Sequence, residues 1–343
     1  MADVLQFVVP IRNFPRRQRR YRHDNVNIRG LTDAELRIRY RFGYQAINYI
    51  TNLLYDDLVR DTKRNFSLIP DVQVLIALRF FASGSFLQVI GDTFGVDKST
   101  VSRVVRDVCL ALSNKREQFI RWPSNQEKEK IKNGFYDMAN FPGVIGCIDC
   151  THIRIQAPHL NENYYVNRKR YHSINVQAIC DDRGRFINLV ARWPGSVHDS
   201  HIFRMSQIQQ FIEQHHTSLE DGIILGDSGY ALKPYLMTPY TDPTTAKERA
   251  FNRSLKKTRV LIEQVFGRWK RRFHLLHSEI RMEPEKVCLL IGACAVLQNI
   301  AIMFNEPDEE EDVDLEEPDP EVEPQVGHDT GRQIRAHITN NFF

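Results

Sequence analysis

Four acidic residues stand where apolar runs give way: Asp149 in "GCIDCTH", Asp199 in "WPGSVHDS", Asp227 in "LGDSGY", and Glu263 in "KKTRVLIEQVFGRWKRRFHLL". Each alone has an ordinary reading. A carboxylate at a strand end starts a turn, and an acid after Pro194-Gly195 opens a helix and complements its N-terminal dipole. Together they have the composition of a divalent-metal site. Hard cations such as Mg²⁺, or Mn²⁺ in its place, take oxygen ligands, and a few carboxylates suffice because water and phosphate complete the shell. Two such ions about 4 Å apart activate the attacking oxygen and stabilise the leaving one in phosphodiester chemistry.

Those acids need strands and helices that bring them together. "VIGCIDCTHIRI", "SINVQAICD" and "FINLVARW" read as strands, and Ile223–Leu225 supplies a fourth that ends at Gly226-Asp227. Pro194-Gly195 should end the third strand, and "DSHIFRMSQIQQFI" has apolar residues at helical intervals. Glu263 lies on an otherwise apolar and basic helix. Strands followed by helices in this order predict an α/β domain over residues 136–305.

The region 31–135 has a helical pattern. Pro70 and Gly84 punctuate the two ends of "SLIPDVQVLIALRFFASG". Two further helices break at Gly95-Val96-Asp97, with Asp97 as N-cap and Val101, Val104, Val105 and Val108 as an apolar stripe. That is a helix-turn-helix pattern. Lys98, Ser99, Thr100, Ser102, Arg103 and Arg106 point away from the stripe, a face suited to phosphates and base edges. A plain helical bundle with a solvated face is the alternative.

Charge is distributed unevenly. The chain of 343 residues carries 46 Lys and Arg against 43 Asp and Glu, and twelve of those acids fall between Glu306 and Glu323. The rest of the chain is therefore about +15, which implies a polyanionic partner. Residues 1–30 include six Arg between Arg12 and Arg22, read as a nuclear import signal, an arm on DNA or a solvated tail. Residues 306–343 read as an acidic disordered tail. Six cysteines and no charged-then-apolar leader point to a reducing compartment. Cys147 and Cys150 form a C-x-x-C with no second pair to complete a zinc site, so they read as buried strand cysteines. The run Val287–Phe304 is long enough for a membrane span, but Gln298 and Asn299 interrupt it. It reads as a buried helix, with no membrane partner.

The series "GCIDCTHIRI", "YVNRKRYHSINVQAICD", "WPGSVHDSHIF", "GDSGYAL" and "FNRSLKKTRVLIEQVFGRWKRRF" resembles the PIF/Harbinger superfamily of DDE transposases and the domesticated nuclease derived from it. The resemblance covers about residues 30 to 304. It implies an RNase H-like catalytic domain, a mixed sheet with flanking helices, preceded by an all-α helix-turn-helix domain. Its catalytic acids match Asp149, Asp227 and Glu263, all metal ligands, and Asp199 falls on the family's His-Asp position as a fourth ligand. Gln298 departs from the His that relatives often carry before Asn299.

The implied activity is metal-dependent cleavage at transposon ends, followed by joining of the freed 3′-hydroxyl to target DNA. The alternative is a domesticated nuclease or DNA-binding host protein that no longer transposes. Lys169, Arg170, Lys256, Lys257, Lys270, Arg271 and Arg272 would neutralise phosphates of double-stranded DNA around the site. The resemblance further implies a Myb-like DNA-binding partner, assembly of several copies on DNA, and a nuclear location, with cytoplasmic protein imported by that partner.

Overall fold

The computed structural model describes residues 30–60, 67–308 and 329–343. The basic arm at 1–29 and the acidic stretch 309–328 lie outside the described residues. Helices α1 (Asp33–Tyr40), α2 (Tyr44–Leu53), α3 (Tyr55–Leu58), α4 (Pro70–Ser83), α5 (Leu87–Phe94), α6 (Lys98–Asn114), α7 (Arg116–Phe119) and α8 (Asn125–Ala139) precede the sheet. The punctuation read from the sequence is where the chain uses it. Pro70 is in the first turn of α4, and Gly84 closes it in the left-handed conformation. Asp97 caps α6, accepting from the Ser99 N–H at 2.8 Å. Val101, Val104, Val105 and Val108 are buried along that helix.

The sheet has five strands: β1 (Val144–Arg154), β2 (Ser173–Cys180), β3 (Phe186–Pro194), β4 (Ile223–Leu225) and β5 (Leu236–Met237), in the order β3-β2-β1-β4-β5. β1 and β2, and β2 and β3, are antiparallel, whereas β4 and β5 run parallel to β1. This is the mixed sheet with flanking helices expected from the sequence. Pro194 belongs to β3, and the turn begins one residue later. A side chain at Gly195 would sit 2.3 Å from Ser173 Oγ and 2.6 Å from the Tyr165 carbonyl, so the turn packs tightly on its neighbours.

Six later helices complete the fold: α9 (Glu162–Tyr165), α10 (Asp199–Arg204), α11 (Gln207–His215), α12 (Ala246–Arg272), α13 (Pro284–Met303) and α14 (Asp329–Phe342). The single helix expected after Asp199 is two. Ser206 interrupts it and caps α11 by accepting from the Gln209 N–H at 3.2 Å.

Side chains alternate across β1. Ile148 packs with Phe203, Ile208 and Ile212 under α10 and α11, while Cys147 and Ile153 join the larger core. That core is continuous from the amino-terminal helices through α13 to the other face of the sheet. The apolar run Val287–Phe304 lies mostly within α13, a core helix against α6 and β3, as its Gln298 and Asn299 suggested. All six cysteines are free; Cys147 is buried in the strand as expected, whereas Cys150, expected to be buried with it, is only half-buried.

The acidic tail requires correction. Its first acid, Glu306, is buried and accepts from the Gly43 N–H at 2.8 Å and Arg37 Nε at 2.6 Å. Its last residues form α14, which packs on α12 and β5. Phe343 lies against Phe141 and Phe251, and the Arg335 guanidinium sits 4.0 Å over the Tyr240 ring. The low aromatic content of residues 306–323 hid an apolar, aromatic end.

Candidate active site

Parallel pairing brings together the segments that carry two of the acids. Cys147 of β1 is in register with Leu225 of β4. Asp149 comes two residues later within β1, and Asp227 comes two residues after Leu225, just past the end of β4. Asp149 Oδ1 accepts from the Cys150 N–H at 2.9 Å, and Asp227 Oδ1 from the Gly229 N–H at 3.0 Å. These bonds hold the Asp149 carboxylate against its own strand and the Asp227 carboxylate against the turn that follows β4.

Glu263 arrives from α12. That 27-residue helix buries Phe251, Leu255, Thr258, Ile262, Val265, Phe266 and Trp269 along one stripe, with Cys147 Sγ donating to the Thr258 carbonyl at 3.6 Å. Arg259 and Glu263, one helical turn apart, flank the stripe. Arg259 Nη1 donates to Asp149 Oδ2 at 2.6 Å, and its Nη2 donates to Glu263 Oε1 at 2.6 Å. One guanidinium thus joins the acid of β1 to the acid of α12.

Asp199 is the first residue of α10, and His198 precedes it as the N-cap. It approaches from the opposite face of the sheet. Asn175 of β2, itself buried, donates from Nδ2 to Asp199 Oδ1 at 2.9 Å and to the Val197 carbonyl at 2.8 Å. Arg168 bonds His198, which places the loop bearing Lys169 and Arg170 beside the start of α10.

Electrostatic coupling puts the three aspartates in one neighbourhood. Burial pushes the Asp149 carboxyl up to about 8; Arg259 draws it down, while Asp227 and Asp199 push it up. The buried Tyr230 hydroxyl, 3.4 Å from Cys150 Sγ, is raised first by burial, then by Cys150 and by Asp199, Asp149 and Asp227. Cys150 is raised by burial and by Asp199.

Among the described residues, no three His, Cys, Asp or Glu side chains converge as ready metal ligands. The donor chemistry still fits a hard divalent cation. The acids supply carboxylate oxygens, and the partly buried Asp149 is crowded by like charges that a cation would offset.

The predicted basic residues divide. Lys98, Ser99, Ser102, Arg103 and Arg106 are exposed on α6, with Thr100 half-buried; Lys169, Arg170, Lys256 and Lys257 are exposed as well. Arg271 is half-buried. Lys270 and Arg272 are corrections, because both are buried. Lys270 Nζ donates to the His152 carbonyl at 3.1 Å. Arg272 donates to Gln298 Oε1 at 3.1 Å, the Glu306 and Pro307 carbonyls at 3.3 and 3.2 Å, and Asp308 Oδ1 at 3.1 Å. Its position in a basic run concealed a structural arginine, and Gln298 is its acceptor. Sequence reasoning missed Arg259, Asn175 and Tyr230. Only Arg259 carried a signal, its spacing of four from Glu263 on one helix face.

Residues 148–299 match the family described as DDE superfamily endonuclease. The human protein "Putative nuclease HARBI1" is 37% identical over 284 residues, covering 81% of this chain and 80% of the relative. Its Xenopus laevis counterpart is 32% identical, covering 82% of each chain. An Arabidopsis thaliana relative, "Protein ALP1-like", is 28% identical over 77% of this chain and 69% of its own. No solved structure matches significantly.

Proposed function

The chain belongs to the DDE superfamily endonucleases, and on that premise we propose that it is a divalent-metal-dependent DNA nuclease of the Harbinger-derived kind. The observation that carries the reading is the placement of Asp149 on β1 and Asp227 just past the end of the neighbouring β4, with Glu263 tied to Asp149 through Arg259. The name "Putative nuclease HARBI1" of the human and Xenopus laevis relatives supports a nuclease over an active transposase, so end cleavage is the proposed reaction and target joining is not part of it.

Asp149, Asp227 and Glu263 are the proposed catalytic acids and metal ligands, and Asp199 is a fourth ligand. Mg²⁺ or Mn²⁺ held there would activate the attacking oxygen and offset charge on the leaving one. The protein's part is to orient the oxygens. The Cys150 and Gly229 N–H groups fix Asp149 and Asp227, and Asn175 fixes Asp199. Lys169, Arg170, Lys256 and Lys257 would neutralise DNA phosphates beside the acids, and the exposed face of α6 would read the duplex as the second helix of a helix-turn-helix. A Myb-like partner, assembly of several copies on DNA and a nuclear location belong to the same proposal.

The test is incubation of purified protein with duplex DNA, including the ends of its own element, with Mg²⁺ and with chelator. Mg²⁺-dependent strand cleavage supports the reading. DNA binding without cleavage under any divalent ion would leave a DNA-binding regulator with a silent catalytic domain.

A further inference from the structure

Arg259 occupies the space between the acids. Asp149 Oδ1 already accepts from the Cys150 N–H, so Oδ2 is the oxygen directed at α12, and Arg259 bonds that atom. Its other nitrogen bonds Glu263 Oε1. The two bonds are both 2.6 Å.

A divalent ion shared by Asp149 and Glu263 must approach the same oxygens to about 2.0–2.1 Å for Mg²⁺. A guanidinium bonded to them takes one lone pair on each of those oxygens and sets a like charge beside the ion. The two cations therefore compete for the same pair of oxygens. Proton loss offers no release, because an arginine beside carboxylates stays charged. The side chains of Arg259, Asp149 and Glu263 are 19%, 15% and 35% exposed, so the cluster opens to solvent and leaves a way out for the guanidinium.

We infer that Arg259 is an exchangeable counter-cation, which holds Asp149 and Glu263 together in the metal-free protein and competes directly with a divalent metal for them. This rests on the metal-site reading above. It assigns Arg259 the opposite role from a residue that orients ligands. Loss of an orienting partner weakens metal binding, typically about 10–100-fold. Loss of a competitor strengthens it.

The experiment measures Mn²⁺ affinity by calorimetry, without DNA, for the wild-type chain, Arg259→Gln, Arg259→Lys and the Asp149→Asn/Glu263→Gln double variant. Arg259→Gln should bind Mn²⁺ about tenfold more tightly than wild type, or about 1.4 kcal/mol. Arg259→Lys, one charge that cannot span both acids, should fall between. Equal or weaker binding by a folded Arg259→Gln protein overturns the exchange while leaving the metal site intact. Binding by the wild type no tighter than by the double variant overturns the metal site itself and the exchange with it. A crystal of wild-type protein loaded with Mn²⁺ gives a readout that needs no variant. The guanidinium should stand beyond hydrogen-bond reach of Asp149 Oδ2, and persistence of both bonds beside a bound ion overturns the inference.

Discussion

Asp149 lies within β1 two residues beyond Cys147, and Asp227 lies just past the end of β4, two residues beyond Leu225, the residue paired with Cys147. The parallel pairing of β1 with β4 therefore brings the two acid-bearing segments together before any ligand is considered. Substituting either should leave the fold in place. Asp149→Asn and Asp227→Asn keep shape and remove the charge that a hard cation needs, so each should lower cleavage at least about a hundredfold. Circular dichroism and melting temperature should stay near wild type. Normal cleavage by a folded variant would remove that residue from the catalytic set.

Asp199 distinguishes two roles. As first residue of α10 it complements the helix dipole, and Asp199→Asn should cost only about 0.3–1 kcal/mol on that account. The Asn175 bond can persist, since Asn also offers a side-chain oxygen. A ligand role instead predicts severe loss of cleavage at low Mg²⁺, with partial rescue as Mg²⁺ is raised or Mn²⁺ replaces it. Wild-type metal dependence in a Mg²⁺ titration would return Asp199 to its helix.

The raised Asp149 carboxyl makes pH a second lever. Its unfolded value is about 3.9, and the folded value is about 8. A carboxyl raised by folding favours the protonated native state, so its stabilisation is complete below about pH 4 and lost as pH rises toward 8. Metal-free protein should therefore lose stability across that window, with a shallower loss in Asp149→Asn. Mn²⁺ affinity should climb over the same window, because the ion displaces a proton. Chemical denaturation in chelator and calorimetry against pH check the two slopes. Parallel stability profiles for wild type and Asp149→Asn would count against the assignment.

The exposed face of α6 should be felt in salt dependence. Replacing Arg103 and Arg106 with Ala should weaken duplex binding and reduce the slope of log affinity against log salt by about 2, since each arginine would otherwise neutralise about one phosphate. Unchanged affinity and slope would make this segment a plain bundle. Arg272→Ala should behave oppositely, costing on the order of 3 kcal/mol of stability by abandoning buried acceptors and Asp308. Its salt slope should not change.

Much of this architecture was legible because local rules and tertiary packing agree. Pro70, Gly84 and Asp97 mark helix ends by backbone chemistry alone. Strands β1 to β4 show in apolar, β-branched runs, whereas β5 is two residues, too short for any pattern. The break at Ser206 was present as Ser-x-x-Gln but masked by continuous apolar spacing. Exposure along α12 was harder. Lys257 and Arg272 belong to one basic helix, yet only packing against α13 and Glu306 decides that Arg272 is inside. Asn175 was invisible as a site residue, because its partner Asp199 is twenty-four residues away and meets it only in the fold.

Whether Asp149, Asp227 and Glu263 form one metal-dependent cleavage site is decided most directly by Mg²⁺-dependent nicking of duplex DNA. Wild type and Glu263→Gln are compared, with DNA affinity measured on the same preparations. Wild type should cleave, and chelator should abolish that cleavage. Glu263→Gln should lose cleavage almost completely while retaining DNA affinity. Equal cleavage by both proteins, or wild-type cleavage that survives chelator, would contradict the shared site.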